Sequence, residues 1–252
     1  MSGLTSRSER TTDGKKTALG TLPDQDREPG RSAGSQTLAR GLRALELIAG
    51  TRDGLTVQDV SDRLAVHRTI AHRLLVTLSE FHLVVRGNGG RFRPASGLVS
   101  LAANVQSDLL EVATPHLQRL ADTLGCTMSL IIAEGNEAVA IAVIEPVTTS
   151  YHLTFRTGSR HSLDRGSAGV ALHAAAPAKP EDTADVRRAR EQGFAMTFGQ
   201  VEPGAYGLAA PLCRPAHEPP ACINAISYRE DLVRDAVEDV LNVARAISEE
   251  LA

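Results

Sequence analysis

The sequence lacks any apolar run of the ~18 residues that a membrane-spanning helix requires. Its first thirty residues mix charged residues with glycine and contain no continuous apolar stretch, which argues against a secretory signal peptide. Hydrophobic residues make up 42% and charged residues 23% of the 252 positions, a composition typical of globular domains in water. We therefore expect a cytoplasmic protein with no membrane contact.

Cysteine is scarce and unevenly spaced. The chain has three cysteines and no Cys-x-x-Cys pair, which argues against a zinc ribbon and against a disulfide framework. We interpret them as buried thiols rather than nucleophiles: Cys126, Cys213 and Cys222.

The motifs of metal and nucleotide enzymes are also missing. No two histidines have the i, i+4 or His-Glu-x-x-His spacing of a zinc site, so His152, His161 and His173 are interpreted as ordinary side chains rather than bases or ligands. The glycine-rich stretches 87–90 and 166–169 lack the spacing of a phosphate-binding loop or a dinucleotide fingerprint. The sequence therefore predicts no catalytic residue, no metal and no cofactor.

Charge is distributed unevenly along the chain. Residues 1–34 carry six basic and five acidic side chains, residues 35–95 carry nine and five, and residues 96–252 carry twelve and twenty. The middle segment therefore has a net charge of +4, whereas the last has −8. A basic block beside an acidic remainder favours a polyanionic partner for residues 35–95.

Residues 1–34 contain almost no apolar positions and predict a disordered tail. Residues 35–95 then predict three helices, because apolar residues recur at helical spacing in segments that begin at Ser35, Thr56 and Arg68. The first is expected to bury Leu38 and Leu42, among others, and the third to bury a stripe from Ile70 to Phe81. Two short strands, 83–86 and 91–93, follow around a Gly-rich turn.

Two short helices joined by a tight turn are typical of a helix-turn-helix, whose second helix enters the major groove of double-stranded DNA. We predict that the third helix reads DNA and that the strand pair forms a wing on the phosphates. The alternative is a solvated three-helix module with incidental arginines. The candidate DNA-binding residues are Arg68, Thr69, His72 and Arg73 on the helix, and Arg86, Arg91 and Arg93 on the wing.

The remainder of the chain predicts a second domain. Residues 96–112 have the spacing of a linker helix, and Thr114-Pro115 predicts the start of another helix that ends at Gly125. Residues 113–252 then alternate β-rich runs with helical segments and close with a long amphipathic helix, which predicts an α+β domain. The predicted strands are 127–133, 138–144, 151–155, 206–213 and 222–228, and the predicted intervening helices are 167–174 and 182–192.

Several motifs in order resemble the isocitrate-lyase-regulator (IclR) family of bacterial transcription factors. They include SQTLARGLRALELI from Ser35, LAVHRTIAHRLLVTL from Leu64, RFRPASGL from Arg91, GSAGVA from Gly166 and EPGAYGLAAP from Glu202. The resemblance spans about residues 35–252. It implies an N-terminal winged helix-turn-helix, a C-terminal GAF-like α/β domain that binds a small organic effector, and a homodimer or dimer of dimers.

The resemblance also implies an effector pocket. Its lining, transferred residue by residue, is Leu130, Leu153, Ser167, Ala168, Thr197, Ala205, Gly207 and Ser227. Ser167 and Ser227 would anchor the ligand, and backbone N–H groups near the start of a helix at Gly166 could receive a carboxylate. The sequence departs from the family at Val170, where a basic residue is common, and at Thr197 and Gly207, where polar residues are common. These departures predict a mainly apolar acid or a related metabolite as the effector.

The resemblance thus implies a DNA-binding regulator, expected to be a repressor, whose promoter binding responds to a small molecule. The runner-up is a constitutive DNA-binding regulator whose C-terminal domain binds no ligand and serves dimerisation or partner binding. An enzyme with an appended DNA-binding module ranks third, because none of the cysteines or histidines lies in a catalytic motif.

Overall fold

The computed structural model describes residues 34–147 and 155–252. The chain divides between Asn104 and Val105 into two compact units, within the stretch predicted as a linker helix. No helix in the described ranges is long and apolar enough to cross a membrane. The predicted tail, up to residue 33, and most of the predicted strand 151–155 lie outside the described residues.

Unit 1 begins with three helices, whose starts are fixed by local capping. The side chain of Ser35 accepts a hydrogen bond from the Leu38 N–H. Thr56 and Asp59 form a capping box, in which the side chain of each accepts from the backbone N–H of the other. Free N–H groups at the starts of the first two helices therefore have acceptors. The helices are α1 (Gln36–Ala49), α2 (Val57–Arg63) and α3 (Arg68–Glu80). All three were predicted.

The wing follows α3 as two antiparallel strands, β1 (Val84–Arg86) and β2 (Phe92–Pro94), joined through a 3₁₀ turn at Asn88–Gly90. Phe92 also forms a β-bridge with Leu55, which attaches the wing to the segment before α2. A short helix, α4 (Gly97–Ala102), ends the unit.

The core of unit 1 contains fewer of the predicted apolar positions than expected. Ala44 and Ile48 of α1 are buried, but Leu38 and Leu42 are exposed because they lie at the margin of that helix face. Ile70 is also exposed, and Phe81, at 71% exposure, caps α3 beyond its last helical residue. Unit 1 therefore carries unburied apolar side chains on its surface.

Unit 2 is an α+β domain built on one six-stranded antiparallel sheet in the order β5-β4-β3-β8-β7-β6. Its strands are β3 (Thr127–Glu134), β4 (Glu137–Ile144), β5 (Arg160–Ser162), β6 (Ala195–Phe198), β7 (Tyr206–Leu212) and β8 (Ala221–Ser227). Its helices are α5 (Ser107–Leu124), α6 (Gly166–Ala175), α7 (Ala184–Gln192), α8 (Glu230–Asp235) and α9 (Val237–Glu250). The short strands β5 and β6 were not predicted.

The closing helix was predicted as one segment but divides into α8 and α9 at Ala236. The boundary between the predicted linker helix and the helix after it was also predicted wrongly. The break falls at residues 103–106, where Gln106 adopts φ +50°, and α5 runs continuously through Pro115. Proline removes one helical hydrogen bond, but Ala113 and Leu117 on either side of it are buried, and this packing outweighs the lost bond.

Alternate residues of the central strands face opposite sides of the sheet and build two cores. Leu130 and Ile132 of β3 pack on the side of α5 and α9, whereas Ile131 packs on the side of α6. Gly169 of α6 has no room for a side chain, because a Cβ atom there would lie 2.1 Å from the Leu163 carbonyl oxygen. The absence of a side chain at Gly169 therefore lets α6 lie close to Leu163, which follows β5.

Candidate functional site

The described residues present one candidate surface in each unit, and the first is the outer face of α3. Arg68, Thr69, His72 and Arg73 are all exposed, whereas Ala71, Leu74, Leu75 and Leu78 on the other side of α3 are buried. The four exposed side chains span positions i, i+1, i+4 and i+5, which share one helix face. The structure thus brings together the four residues predicted on this helix.

The turn before α3 is held by side chains. The Ser61 hydroxyl donates to the Val66 carbonyl at 2.7 Å, and Ala65 has a left-handed φ of +50°. His67 caps α3, because its Nδ1 accepts from the Thr69 N–H at 3.3 Å and lies 3.1 Å from Thr69 Oγ1. The sequence did not predict this role, since histidine is not among the residues preferred at a helix N-cap.

The three wing arginines differ in their surroundings. Arg86 and Arg93 have exposed side chains, with one on each strand. Arg91 instead donates from Nη1 to the Gly54 carbonyl at 3.0 Å and lies 3.7 Å from Asp59 Oδ2. Arg91 therefore ties the wing to the start of α2, in addition to any contact with a ligand.

Asp59 is held in its charged form. Its carboxylate accepts hydrogen bonds from the backbone N–H and the hydroxyl of Thr56, both at 2.9 Å. These bonds lower the pKa of Asp59 below its ordinary value, and the charges of Arg91 and Arg63 act in the same direction. The negative charge at the first turn of α2 also suits the helix dipole.

The second candidate is a cavity of about 40 Å³ in unit 2, between the start of α6 and strands β6, β7 and β8. Five of the predicted pocket residues line it: Ser167, Ala168, Thr197, Ala205 and Gly207. The sequence reading missed eight further side chains in the lining: Phe155, His161, Gln200, Val201, Glu202, Tyr206, Asn224 and Ile226. Several of these follow β6 or stand on β8, and the sheet brings them together.

Two of the predicted pocket residues do not line this cavity. Leu130 packs in the core on the α5 and α9 side of β3. Ser227 follows Ile226, a lining residue, and its Oγ accepts from the Arg229 N–H at 3.1 Å. Both are buried, but strand alternation directs them to the other face of the sheet. Leu153 lies outside the described residues.

Val170 was also expected to alter the pocket. Its side chain packs instead with a small apolar cluster that includes Ala174, Val186 and Ala195. It is not among the residues that line the cavity. The departure from the family at this position therefore bears on the packing of α6 against α7 rather than on the lining.

The polar centre of the cavity is a buried pair. The Ser167 hydroxyl donates to Asn224 Oδ1 at 3.0 Å, and the two residues are 3% and 5% exposed. Gly207 lies against this pair, because a Cβ atom there would stand 2.5 Å from Ser167 Oγ. Glycine at this position therefore makes room for the serine hydroxyl. Its presence is more than the absence of the polar side chain that is common in the family.

The start of α6 is already partly engaged. Gly166, with φ +78°, donates its N–H to Gln200 Oε1 at 2.8 Å, and the Arg165 guanidinium donates to the Gln200 carbonyl. The first of the amides expected to receive a carboxylate thus has an internal acceptor. A ligand at this helix start would meet the Gln200 side chain.

His161 is an uncharged member of the lining. Burial lowers its pKa; a hydrogen bond with the Ser162 carbonyl opposes this shift, and the nearby charge of Arg165 adds to it. Its Nδ1 lies 3.0 Å from the Ser162 carbonyl oxygen, which can only accept, so Nδ1 carries the proton. Nε2 is consequently left as a lone-pair acceptor.

Two of the three thiols of unit 2 are poorly suited to nucleophilic chemistry. Burial raises the pKa of Cys126 to about 12 and raises that of Cys222 as well, so both remain protonated near neutral pH. Cys213 is exposed, contrary to the expectation of three buried thiols. Within the described ranges, no group of three or more potential metal ligands comes together.

Comparisons with known proteins agree with both units. Residues 37–87 match the family described as IclR helix-turn-helix domain, and residues 101–184 match the one described as Bacterial transcriptional regulator IclR C-terminal. Together these two matches cover more than half of the chain. The second includes α5, the hairpin of β3 and β4, and all of α6.

Among curated proteins, the chain is similar to two repressors of Escherichia coli K12. It is 29% identical over 124 residues to the DNA-binding transcriptional repressor YiaJ, with 48% of this chain and 44% of that protein covered. It is 30% identical over 148 residues to the HTH-type transcriptional repressor AllR, with 58% and 54% covered. The alignments thus span about half the length of these relatives.

Among solved structures, the chain is similar to an IclR homolog from Microbacterium hydrocarbonoxydans that was crystallised with 4-hydroxybenzoate. The TM-score is 0.71 at 25% sequence identity, with 85% of this chain and 98% of that chain covered. The similarity extends through both units and supports the α+β architecture of unit 2.

Proposed function

The chain belongs to the IclR family of transcriptional regulators, and from this premise we propose that it binds promoter DNA and regulates transcription in response to a small organic molecule. Unit 1 is the proposed DNA-binding domain, and the cavity of unit 2 is the proposed effector site. Two similar proteins are named as repressors, which favours repression as its mode of action.

The observation that carries this proposal is the exposed polar face of α3. Thr69, His72 and Arg73 stand on a helix whose opposite side is anchored in the core of unit 1, so their position is rigid. A rigid helix with short polar and basic side chains near its start can reach base edges in the major groove. Arg68, Arg86, Arg91 and Arg93 supply the positive charge that the phosphates require.

We propose that the regulator acts as a homodimer. Unit 1 exposes Leu38 and Leu42 on α1, and Val99 and Leu101 on α4. Exposed apolar side chains of this size favour burial against a second copy, and a symmetric dimer would present two equivalent copies of α3 to a two-fold symmetric operator.

Promoter DNA lies in the cytoplasm, which we propose as the compartment of this chain. We also propose that it is a binding protein and not an enzyme. The raised pKa of Cys126 and Cys222 supports this, because a protonated thiol is a weak nucleophile.

A second candidate function is constitutive DNA binding without an effector. The small volume of the cavity, about 40 Å³, favours it, because a cavity that binds benzene measures about 150 Å³. On this alternative, unit 2 would serve only dimerisation or contact with a partner. The Ser167 and Asn224 pair supports the effector instead, since a buried polar pair beside a cavity is typical of a binding site.

One experiment separates the two. Duplexes bound by the purified chain are selected from a random pool, and the affinity for the selected duplex is measured with and without small-molecule extract of the source cells. The effector proposal predicts a change of at least fivefold in affinity, and this change should disappear in Gly207→Ala, whose new methyl group crowds the cavity. Unchanged affinity with every extract would support constitutive binding, and failure to select any duplex would refute DNA recognition.

A further inference from the structure

The charge of the cavity lining limits the kind of ligand that fits. No lysine or arginine is among the described residues of the lining. Residues 148–154, which precede the lining residue Phe155, have the sequence Thr-Thr-Ser-Tyr-His-Leu-Thr and also contain neither. Among the residues that the structure describes around the cavity, the one acidic side chain is Glu202, whose Oε1 accepts from the Tyr228 hydroxyl at 3.3 Å. A ligand carboxylate would therefore meet a like charge and no ammonium or guanidinium in the lining.

The hydrogen-bonding groups of the lining favour a ligand that donates. His161 Nε2 is an acceptor, because the ring proton is on Nδ1 facing the Ser162 carbonyl. The Ser167 hydroxyl proton is committed to Asn224, which leaves the oxygen lone pairs as acceptors. A hydroxyl group can donate to such acceptors and accept from the side-chain amide of Asn224, whereas a carboxylate can only accept.

The size of the cavity sets a further limit. A volume of about 40 Å³ holds roughly three water molecules on a scale of about 10 to 15 Å³ for each. An aromatic ring is too large for a cavity of this volume. A molecule with only a few non-hydrogen atoms fits.

We propose that the cavity between α6 and strands β6, β7 and β8 binds a small, hydroxyl-bearing molecule that has no carboxylate group. Glu202 excludes acids, and His161 with the Ser167 and Asn224 pair recognises the hydroxyl group. This deepens the proposed function and rests on it, since it names the chemical class of the effector. It differs from the mainly apolar acid or related metabolite that the departures from the family predicted.

Two nearly isosteric probes test the inference on the full chain. Glycolamide is uncharged and carries a hydroxyl group, whereas glycolate has the same shape and a negative charge. Titrations followed by ligand-observed NMR should give a dissociation constant for glycolamide at least tenfold lower than for glycolate, because Glu202 opposes only the anion. Acetamide, which lacks the hydroxyl group, should bind at least threefold more weakly than glycolamide.

Substitutions test which residues cause the difference in affinity between glycolamide and glycolate. Glu202→Gln should tighten glycolate binding at least fivefold, and the matched variant Glu249→Gln, at an exposed position on α9, should leave the ratio of the two dissociation constants unchanged. Gly207→Ala should abolish glycolamide binding, with its circular dichroism spectrum checking the fold. Glycolate binding as tight as glycolamide binding, or no saturable glycolamide binding, would overturn the inference.

The proposed ligand class can fail its test while the proposed function passes its own. Affinity for the selected duplex is measured without any ligand, so DNA binding together with lost amide selectivity refutes only the ligand class. Failure of the unmodified chain to bind any selected duplex refutes the proposed function itself.

Discussion

Arg93 and Arg91 stand on the same side of the wing turn, but their contacts differ. Arg93 is exposed, whereas Arg91 donates to the Gly54 carbonyl. We predict that Arg93→Ala weakens binding to all DNA sequences alike and reduces the slope of log affinity against log salt by about one, because a phosphate contact carries no base information. Fluorescence anisotropy at several salt concentrations measures both quantities.

Arg91→Ala should add a loss of folding stability. Removing the hydrogen bond to Gly54 is expected to lower the free energy of unfolding by about 1 kcal/mol, whereas Arg93→Ala should change it by less than about 0.5 kcal/mol. Urea denaturation compares the two variants. Unchanged salt slopes in both would remove the wing from the DNA interface.

His161 gives the fold a dependence on pH. Its pKa is lowered in the folded chain, so the unfolded chain binds more protons as pH falls through the ordinary histidine range near 6.5. Its contribution to stability is therefore complete above that range and is lost as the pH drops towards 5. We predict that His161→Gln makes the fall in unfolding free energy between pH 7 and pH 5 shallower.

Urea denaturation at the two pH values measures this effect. His217→Gln is the matched control, because that side chain is 81% exposed. It should leave the fall as steep as in the unmodified chain. A His161→Gln variant with the same fall would show that His161 does not carry the effect.

At the scale of elements, α6 and α7 are joined by one arginine. Arg190 of α7 donates to the carbonyls of His173, Ala174 and Ala176 at the end of α6, and it pairs with Asp182 at 2.9 Å. These carbonyls would otherwise lack helical partners, and a cation there also suits the helix dipole.

We predict that Arg190→Ala lowers the free energy of unfolding by about 2 to 3 kcal/mol, since hydrogen bonds from a charged donor are lost together. Arg188→Ala on the same helix is the control. The Arg188 side chain is 64% exposed and pairs only with Asp185 in the described structure, so its loss should cost less than about 0.5 kcal/mol. Equal losses in the two variants would contradict the role given to Arg190.

The sequence predicted the elements whose signals are local. α2 begins at Thr56 because its capping partner stands three residues away, and the Gly-rich stretch after β1 indicated the wing turn. The short strands β5 and β6 were missed, because strands of three and four residues are defined by pairing with β4 and β7 rather than by their own composition. Pro115 suggested a helix start, but tertiary packing carries α5 through it.

The candidate site was predictable to a similar extent. The face of α3 followed from helical periodicity, and Ser167 and Gly207 followed from the family resemblance. Asn224 was missed because it meets Ser167 across 57 positions of sequence, and no local pattern reports such a contact. Leu130 and Ser227 were placed on the wrong side of the sheet, since a one-residue difference in strand phase reverses the face.

At the scale of the whole molecule, we propose that unit 1 recognises specific DNA sequences and that unit 2 recognises the ligand. DNA recognition is the more basic of the two functions, because a ligand can regulate promoter binding only if the chain binds DNA. It depends on Thr69, His72 and Arg73, which combine exposure with a rigid helix.

The most direct test is the affinity of the purified chain, and of Arg73→Ala, for the selected duplex and for a scrambled duplex of the same length at fixed salt. We predict that the unmodified chain prefers the selected duplex by a factor of about 10³ or more. Arg73→Ala should lose roughly 1 to 3 kcal/mol of binding free energy on that duplex and much less on the scrambled one. Equal affinity of the unmodified chain for both duplexes would contradict the claim.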